Sequence, residues 1–199
     1  MSAPRLVEER DVRAVAQQMR TQWIGRGRRV RGLEFRMAQW VGARYAVALG
    51  SGTAALTIAL ALLPGATVCV ALPVCDAVLV AIAIARKRVS LRSKTRLTVY
   101  PERGGDIEDY ARHLPSLGEI KLQGRYGVFS FGALKDVTGG IGGCLVSNTP
   151  FPSSFVENWK RISPLSDINA ELILSQLARY EGHYKARRVA DGKLWIPPA

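Results

Sequence analysis

The sequence predicts an α/β fold, a three-layer α/β/α arrangement around a mostly parallel sheet. Two observations carry that expectation. Short β-branched runs at residues 45–49 and 67–71 alternate with segments that are apolar all round, residues 54–63 and 77–85. Helices without a polar side must be buried against a sheet, and a parallel sheet is covered on both faces. The 199 residues are 48% hydrophobic and 22% charged, which suits one globular domain with at most a small appendage.

In chain order, residues 5–22 read as a helix with Leu6, Val12, Val15, Ala16 and Met19 on one face. Residues 25–32, rich in glycine and arginine, read as a loop. Residues 33–41 recur at helical spacing and stop at Gly42 in C-cap style. A strand at 45–49 leads through the turn Gly50-Ser51-Gly52-Thr53 into the apolar helix 54–63, closed by Pro64-Gly65. A strand at 67–71 precedes the second apolar helix, 77–85. Pro73 and Asp76 interrupt the hydrophobic run 66–85, so a buried strand and helix are expected there and no membrane span. Periodicity weakens from 91 to 122. Strands follow at 127–131 and 143–147 around the glycine-rich turn 139–143, and Pro150–Pro152 is a break. A long amphipathic helix covers 166–188, capped by Ser166 or Asp167, and the tail LWIPPA is extended.

The N-terminus carries charges where an export signal needs an apolar run, which points to the cytoplasm. Three scattered cysteines and two histidines make neither a disulfide framework nor a metal centre. The net charge is +12, with basic clusters at Arg26, Arg28, Arg29 and Arg31 and at Lys185, Arg187 and Arg188. Such an excess favours diphosphates or polyanions. Without a zinc-finger, RNA-recognition or basic-zipper pattern, nucleic acid is not the expected partner.

Three pieces carry chemistry. GSGTAAL, residues 50–56, is a strand–turn–helix junction whose first-turn N–H groups can hold an anion, although small residues at such a turn also serve packing alone. SFGALK, residues 130–135, places a lysine in a short turn after a strand. A partly desolvated lysine amine can condense with an aldehyde; a solvated loop lysine is the plainer reading. DIEDYAR, residues 106–112, offers three carboxylates, one of which could face a protonated pyridine nitrogen. The alternative there is an acidic helix start.

Taken in order, YAVALGSGTAAL, IEDYAR, SFGALK, TGGIGGCLVSN and LSDINAELILSQLARYEGHYKARR resemble the DegT/StrS-like sugar-nucleotide aminotransferase family, over residues 5 to about 190. The resemblance implies an abbreviated fold-type-I aminotransferase large domain at 1–165, with a C-terminal helix and tail at 166–199. It implies pyridoxal 5'-phosphate as cofactor. Lys135 would bind its aldehyde and carry the proton, and Asp109 would pair with its pyridine nitrogen. Ser130 with Gly52, Thr53 and Ala54 would hold its phosphate. Arg26, Arg28 and Arg29 would meet the diphosphate of a sugar nucleotide near a shared dimer site.

The same resemblance marks departures. The interval from Thr53 to Asp109 is short, as if a strand–helix unit were missing, and a small domain is absent after Lys193. No aromatic lies near Val74–Asp76 to stack on the cofactor ring. Arg112, Ile141 and Pro164 stand where the family has glutamine, glutamate and arginine. Three functions remain open: a minimal aminotransferase, acting as a homodimer; a non-catalytic homologue pairing with a full-length aminotransferase; and a polyanion binder.

Overall fold

The computed structural model describes residues 7–70, 74–99, 102 and 104–191, with side chains described as far as Tyr180. The expected extended tail and the side chains of Lys185, Arg187 and Arg188 lie outside them.

Helix α1 (Glu9–Arg20) opens the described chain. Its inward face is not the apolar stripe expected from the sequence. Val12 and Met19 are more than half exposed, whereas Asp11 and Gln18 are buried. The reason lies across the interface, on α6 (Asp167–Asp191). Arg179 of α6 is only 10% exposed and draws Asp11 and Glu8 into ion pairs, and Ser175 donates to Asp11 at 2.6 Å. Burial pushes the Asp11 carboxyl up, but the Ser175 hydroxyl, the Glu8 N–H and Arg179 outweigh it and hold it below its ordinary value.

Helix α2 (Arg28–Trp40) begins inside the segment expected to be a loop. Gly27 at its N-cap has no side chain to offer. Asp167 acts in its place, with one oxygen accepting from the N–H groups of Gly27 and Val30, both at 2.9 Å. A cap supplied from 140 residues away leaves no local sequence signal.

Strand β1 (Tyr45–Leu49) feeds α3 (Gly52–Leu62), then β2 (Thr67–Val70), α4 (Asp76–Ile84) and β3 (Arg88–Val89). The remaining strands are β4 (Arg96–Val99), β5 (Ile107–Asp109), β6 (Tyr126–Ser130) and β7 (Gly143–Ser147). Helix α5 (Ser153–Ile162), which the Pro150–Pro152 break concealed, precedes α6. One seven-stranded sheet results, in the order β1-β7-β6-β5-β4-β2-β3. Strand β7 runs antiparallel to both neighbours, and all other pairings are parallel.

Side chains alternate across the sheet. Val47, Leu49, Val68, Val70, Leu97, Ile107, Val128 and Leu145 pack with α3 and with the inner sides of α4 and α5. Ala48, Phe129, Cys144 and Val146 point the other way, into a core with Leu33, Met37 and Trp40 of α2 and Ile173, Leu177 and Tyr180 of α6. The α/β/α layering is therefore complete around β1, β7 and β6.

It is incomplete over the rest, and chain handedness explains where. Connections β1→β2 and β2→β3 travel one way across the sheet and lay α3 and α4 on one face. Connections β3→β4, β4→β5 and β5→β6 travel back, so right-handed crossovers must pass over the opposite face. Among the described residues none of these three carries a helix. The short interval between Thr53 and Asp109 thus still holds four strands; what it lacks is covering helices.

Candidate functional site

The turn between β1 and α3 is set by close packing. A Cβ on Gly50 would lie 2.9 Å from the Ser163 hydroxyl, and one on Gly52 2.7 Å from Cβ of Ser130. One on Gly143 would collide with the Ser51 carbonyl at 2.3 Å. These contacts seat the α3 N-terminus directly on the ends of β6 and β7, so Gly52 and Ser130 touch. Ser51 caps the helix, its hydroxyl accepting from the Ala54 N–H at 3.1 Å. Thr53 is half-buried at the first turn, and the helix dipole adds partial positive charge there.

Asp109 ends β5 with Val128 of β6 beside it in register, on the α3 face with Ile107. It is 6% exposed, and it accepts a hydrogen bond from the Ala111 N–H at 2.8 Å. Burial raises its pKa; the Ala111 N–H, Lys135 and Arg112 act in the opposite direction without cancelling it. Lys135 is thus near enough for its charge to be felt. It is half-buried in the turn after β6 and, among the described residues, makes no side-chain hydrogen bond or ion pair. Beside it, residues including Tyr110, Arg112, His113, Ser130 and Asp136 line a cavity of about 10 Å³, room for one water.

The structure brings Gly52, Ser130, Asp109 and Lys135 to one rim, at the carboxyl ends of β5 and β6. Ligands of open α/β sheets bind at such strand ends. Ala54 is buried one step into α3. Two of the three arginines are engaged elsewhere. Arg26 pairs with Glu157 of α5 at 3.0 Å and holds that carboxyl below its ordinary value. Arg29 pairs with Glu171 at 2.7 Å and reaches Gln18. Arg28 is exposed.

Several residues that sequence reasoning passed over hold the rim in shape. Glu108, on the sheet face opposite Asp109, is fully buried. It accepts from the N–H groups of Gly104 and Gly124 and from the Tyr110 hydroxyl, tying two loops to β5. Gln176 of α6 mimics a peptide group, accepting from Thr138 N–H at 3.0 Å and donating to Thr138 O at 2.6 Å. Asn169 donates to Gly139 O at 2.8 Å. Asp136 accepts from Leu114 N–H at 3.1 Å and lies 3.0 Å from His113 Nδ1. The Lys135 turn is thereby clamped on both sides. The available signal was two amides on the inward side of an otherwise apolar helix stripe, Ile173 and Leu177.

Compared with known proteins, residues 5–73 match the DegT/DnrJ/EryC1/StrS aminotransferase family. No curated protein matches the chain in sequence. Among solved structures, Helicobacter pylori PseC, an aminotransferase involved in the biosynthesis of pseudoaminic acid, superposes with a TM-score of 0.72 at 16% identity, over 87% of this chain and 64% of its own. The GDP-4-keto-6-deoxymannose-3-dehydratase ColD, with bound GDP-perosamine, gives 0.76 at 16% identity, over 94% and 70%. A Streptococcus pneumoniae protein described as a sugar aminotransferase, in its PLP form, gives 0.69 at 18%, over 92% and 70%. The chain thus spans roughly two thirds of the length of the structures it matches, and identities this low speak for the fold alone. Residues 5–73 carry the sequence signature of the DegT/DnrJ/EryC1/StrS aminotransferases, and the chain as a whole has, in shortened form, the fold of fold-type-I sugar aminotransferases.

Proposed function

We propose that this protein binds pyridoxal 5'-phosphate at the rim and takes part in transferring an amino group from an amino acid to a keto-sugar nucleotide. The observation that carries the reading is the convergence of a buried carboxylate, Asp109, an otherwise unpaired lysine, Lys135, and a hydroxyl packed on a helix N-terminus, Ser130 with Gly52. Each matches one part of the cofactor. The buried acid suits a ring nitrogen, the amine an aldehyde, and the α3 N-terminus with Ser130 a phosphate. When bound, pyridoxal phosphate supplies an aldehyde and an electron-withdrawing ring. The protein's part is then to hold that ring against Asp109 and to move a proton with the Lys135 amine. A positive ring nitrogen would also relieve the burial cost that raises the Asp109 pKa.

The rim is open. The one-water cavity beside Lys135 encloses no substrate, and Val74, Cys75 and Asp76 offer no aromatic wall. This favours a site completed by a second chain, as a homodimer in which Arg26, Arg28 or Arg29 meets the nucleotide diphosphate. The same openness supports a second reading, a non-catalytic subunit that pairs with a full-length aminotransferase. A cytoplasmic setting and the division at residue 165 belong to the same proposal.

The test is a spectrum. Purified protein mixed with pyridoxal phosphate should develop an absorption band to the red of the free cofactor, absent in Lys135→Ala and weakened in Asp109→Asn. An unchanged spectrum on mixing with the folded protein refutes cofactor binding. A band that persists in Lys135→Ala shows that another amine is responsible.

A further inference from the structure

The loop that returns from β3 to β4 is where the chain concentrates its charge. Residues 86–96 contain Arg86, Lys87, Arg88, Arg92, Lys94 and Arg96 and no acid, six positive charges against a net +12 for the whole protein. Lys87 is partly spent on the end of α3, its Nζ bonded to the Leu63 and Gly65 carbonyls. Register places Arg88 beside Thr67 and Arg96 beside Cys69, on the face that no helix covers. Ser93 fastens the loop to Thr67, and the Ser93 N–H bonds back to Ser90 O. That turn holds Leu91 at its tip, 86% exposed, with Arg92 next to it.

A leucine at a turn tip is unusual, because turns favour Gly, Pro, Asn, Asp and Ser. It is not isolated. Val89 on the edge strand is 44% exposed, and Ile84, Val80 and Leu79 on the outer side of the neighbouring α4 are 56%, 48% and 47% exposed. The β3 edge of the molecule therefore presents large apolar side chains on its α4 side and cations on its open side, with Leu91 and Arg92 in the loop that follows β3.

A second copy is a poor occupant, since it would bring a second set of six cations against the first. The chain beyond Tyr180 is no better: residues 181–199 hold four basic and two acidic residues. Nucleic acid would meet the charge, but residues 66–99 contain no aromatic on which a base could stack, and the exposed leucine would be wasted. Leu91 projects from the surface; it does not line a groove. A projecting apolar side chain flanked in the chain by the exposed cations Arg88, Arg92 and Lys94 matches a soft, planar, anionic layer into which it can sink.

We propose that the β3 edge, with Leu91 at its centre, is a contact site for an anionic lipid surface. It is a peripheral contact and not a span; no helix among the described residues is long and apolar enough to cross a membrane. The site follows the end of β3, the edge strand of the sheet, whereas the rim lies at the carboxyl ends of β5 and β6 with β4 and β2 between, so the two can be tested separately.

The experiment is co-sedimentation of the full chain with vesicles of phosphatidylcholine alone and of phosphatidylcholine mixed with phosphatidylglycerol. Retention is expected only on the anionic vesicles. It should fall roughly tenfold or more in Leu91→Gln, about what loss of one buried leucine implies. It should be abolished in the combined variant Arg88→Glu, Arg92→Glu, Lys94→Glu. All of these positions are exposed, and an unchanged melting temperature confirms the fold. Absence of retention on anionic vesicles overturns the proposal, as does equal retention on neutral ones. So does full retention of Leu91→Gln, which would show that net charge alone causes adhesion. Binding of a DNA duplex that depends on the same arginines more steeply than vesicle binding assigns the edge to nucleic acid.

Discussion

The two halves of the sheet are built from different kinds of strand. In the half formed by β1, β7 and β6, both faces are covered, and β7 is buried at every position, Gly143 to Ser147. In the half formed by β4, β2 and β3, helices cover one face only. There the strands alternate: Val68, Val70 and Leu97 are buried towards α3, while Thr67, Cys69, Arg88 and Arg96 are half-buried or exposed on the other side. Parallel strands are ordinarily apolar throughout because crossover helices shield both faces. Here the crossovers carry no helix among the described residues, and Thr67, Arg88 and Arg96 stand at the outward positions. The lesson is that a parallel sheet tolerates a missing layer when its side-chain pattern changes to that of a sheet with one wet face.

That comparison can be broken most sharply in the covered half. Trp40 is fully buried between the sheet and α6, and its indole N–H donates to Pro115 O at 2.7 Å. Trp40→Ala should cost about 3–5 kcal/mol in denaturant unfolding. A cost near zero would mean that the α2–α6 layer contributes nothing to stability. The next effect concerns how that layer is tied down. Asp11→Asn removes the buried partner of Arg179 and should cost about 3 kcal/mol. Because the folded-state pKa of Asp11 is lowered, its contribution is complete above the ordinary carboxylate pKa of about 4 and is lost as pH falls through the lowered value. Stability measured against pH should therefore drop less on the acid side in Asp11→Asn than in the wild type. The smallest effect is expected on the open face. Arg88→Ala and Arg96→Ala should each change stability by no more than about 0.5 kcal/mol. A loss of several times that would reveal a cover on this face.

Much of this arrangement was legible in the sequence, for physical reasons that differ by element. The apolar helix α3 and the strands β6 and β7 announced themselves because burial on two sides leaves no polar alternation to confuse, and β1 and β2 as short β-branched runs next to apolar helices. Strands β3, β4 and β5 have two to four residues each, too few for a period to register. Helix α2 was read as starting late because its cap belongs to Asp167. Helix α1 was oriented by its apolar residues, yet what positions it is the charge of Arg179. At the rim, the order of GSGTAAL, IEDYAR and SFGALK made Asp109, Ser130 and Lys135 candidates, and these side chains do converge. For the clamp on the Lys135 turn, by Gln176, Asn169 and Asp136, the sequence offered only two inward amides on α6 and no hint of their partners. Long-range side-chain-to-backbone bonds carry no local pattern.

The cap on α2 has a consequence for how the protein is made. A ribosome releases Gly27 early, but Asp167 emerges 140 residues later, roughly ten seconds or more at ordinary synthesis rates. Strand β1 waits too, though less long, for β7, the strand it pairs with among the described residues. Through that interval the nascent chain exposes an uncapped helix start, an unpaired strand and the wholly apolar α3. Such a chain is a natural client for a holding chaperone, and synthesis interrupted before α6 would leave a fragment with all its strands but with α2 uncapped and one face of the sheet short of its cover.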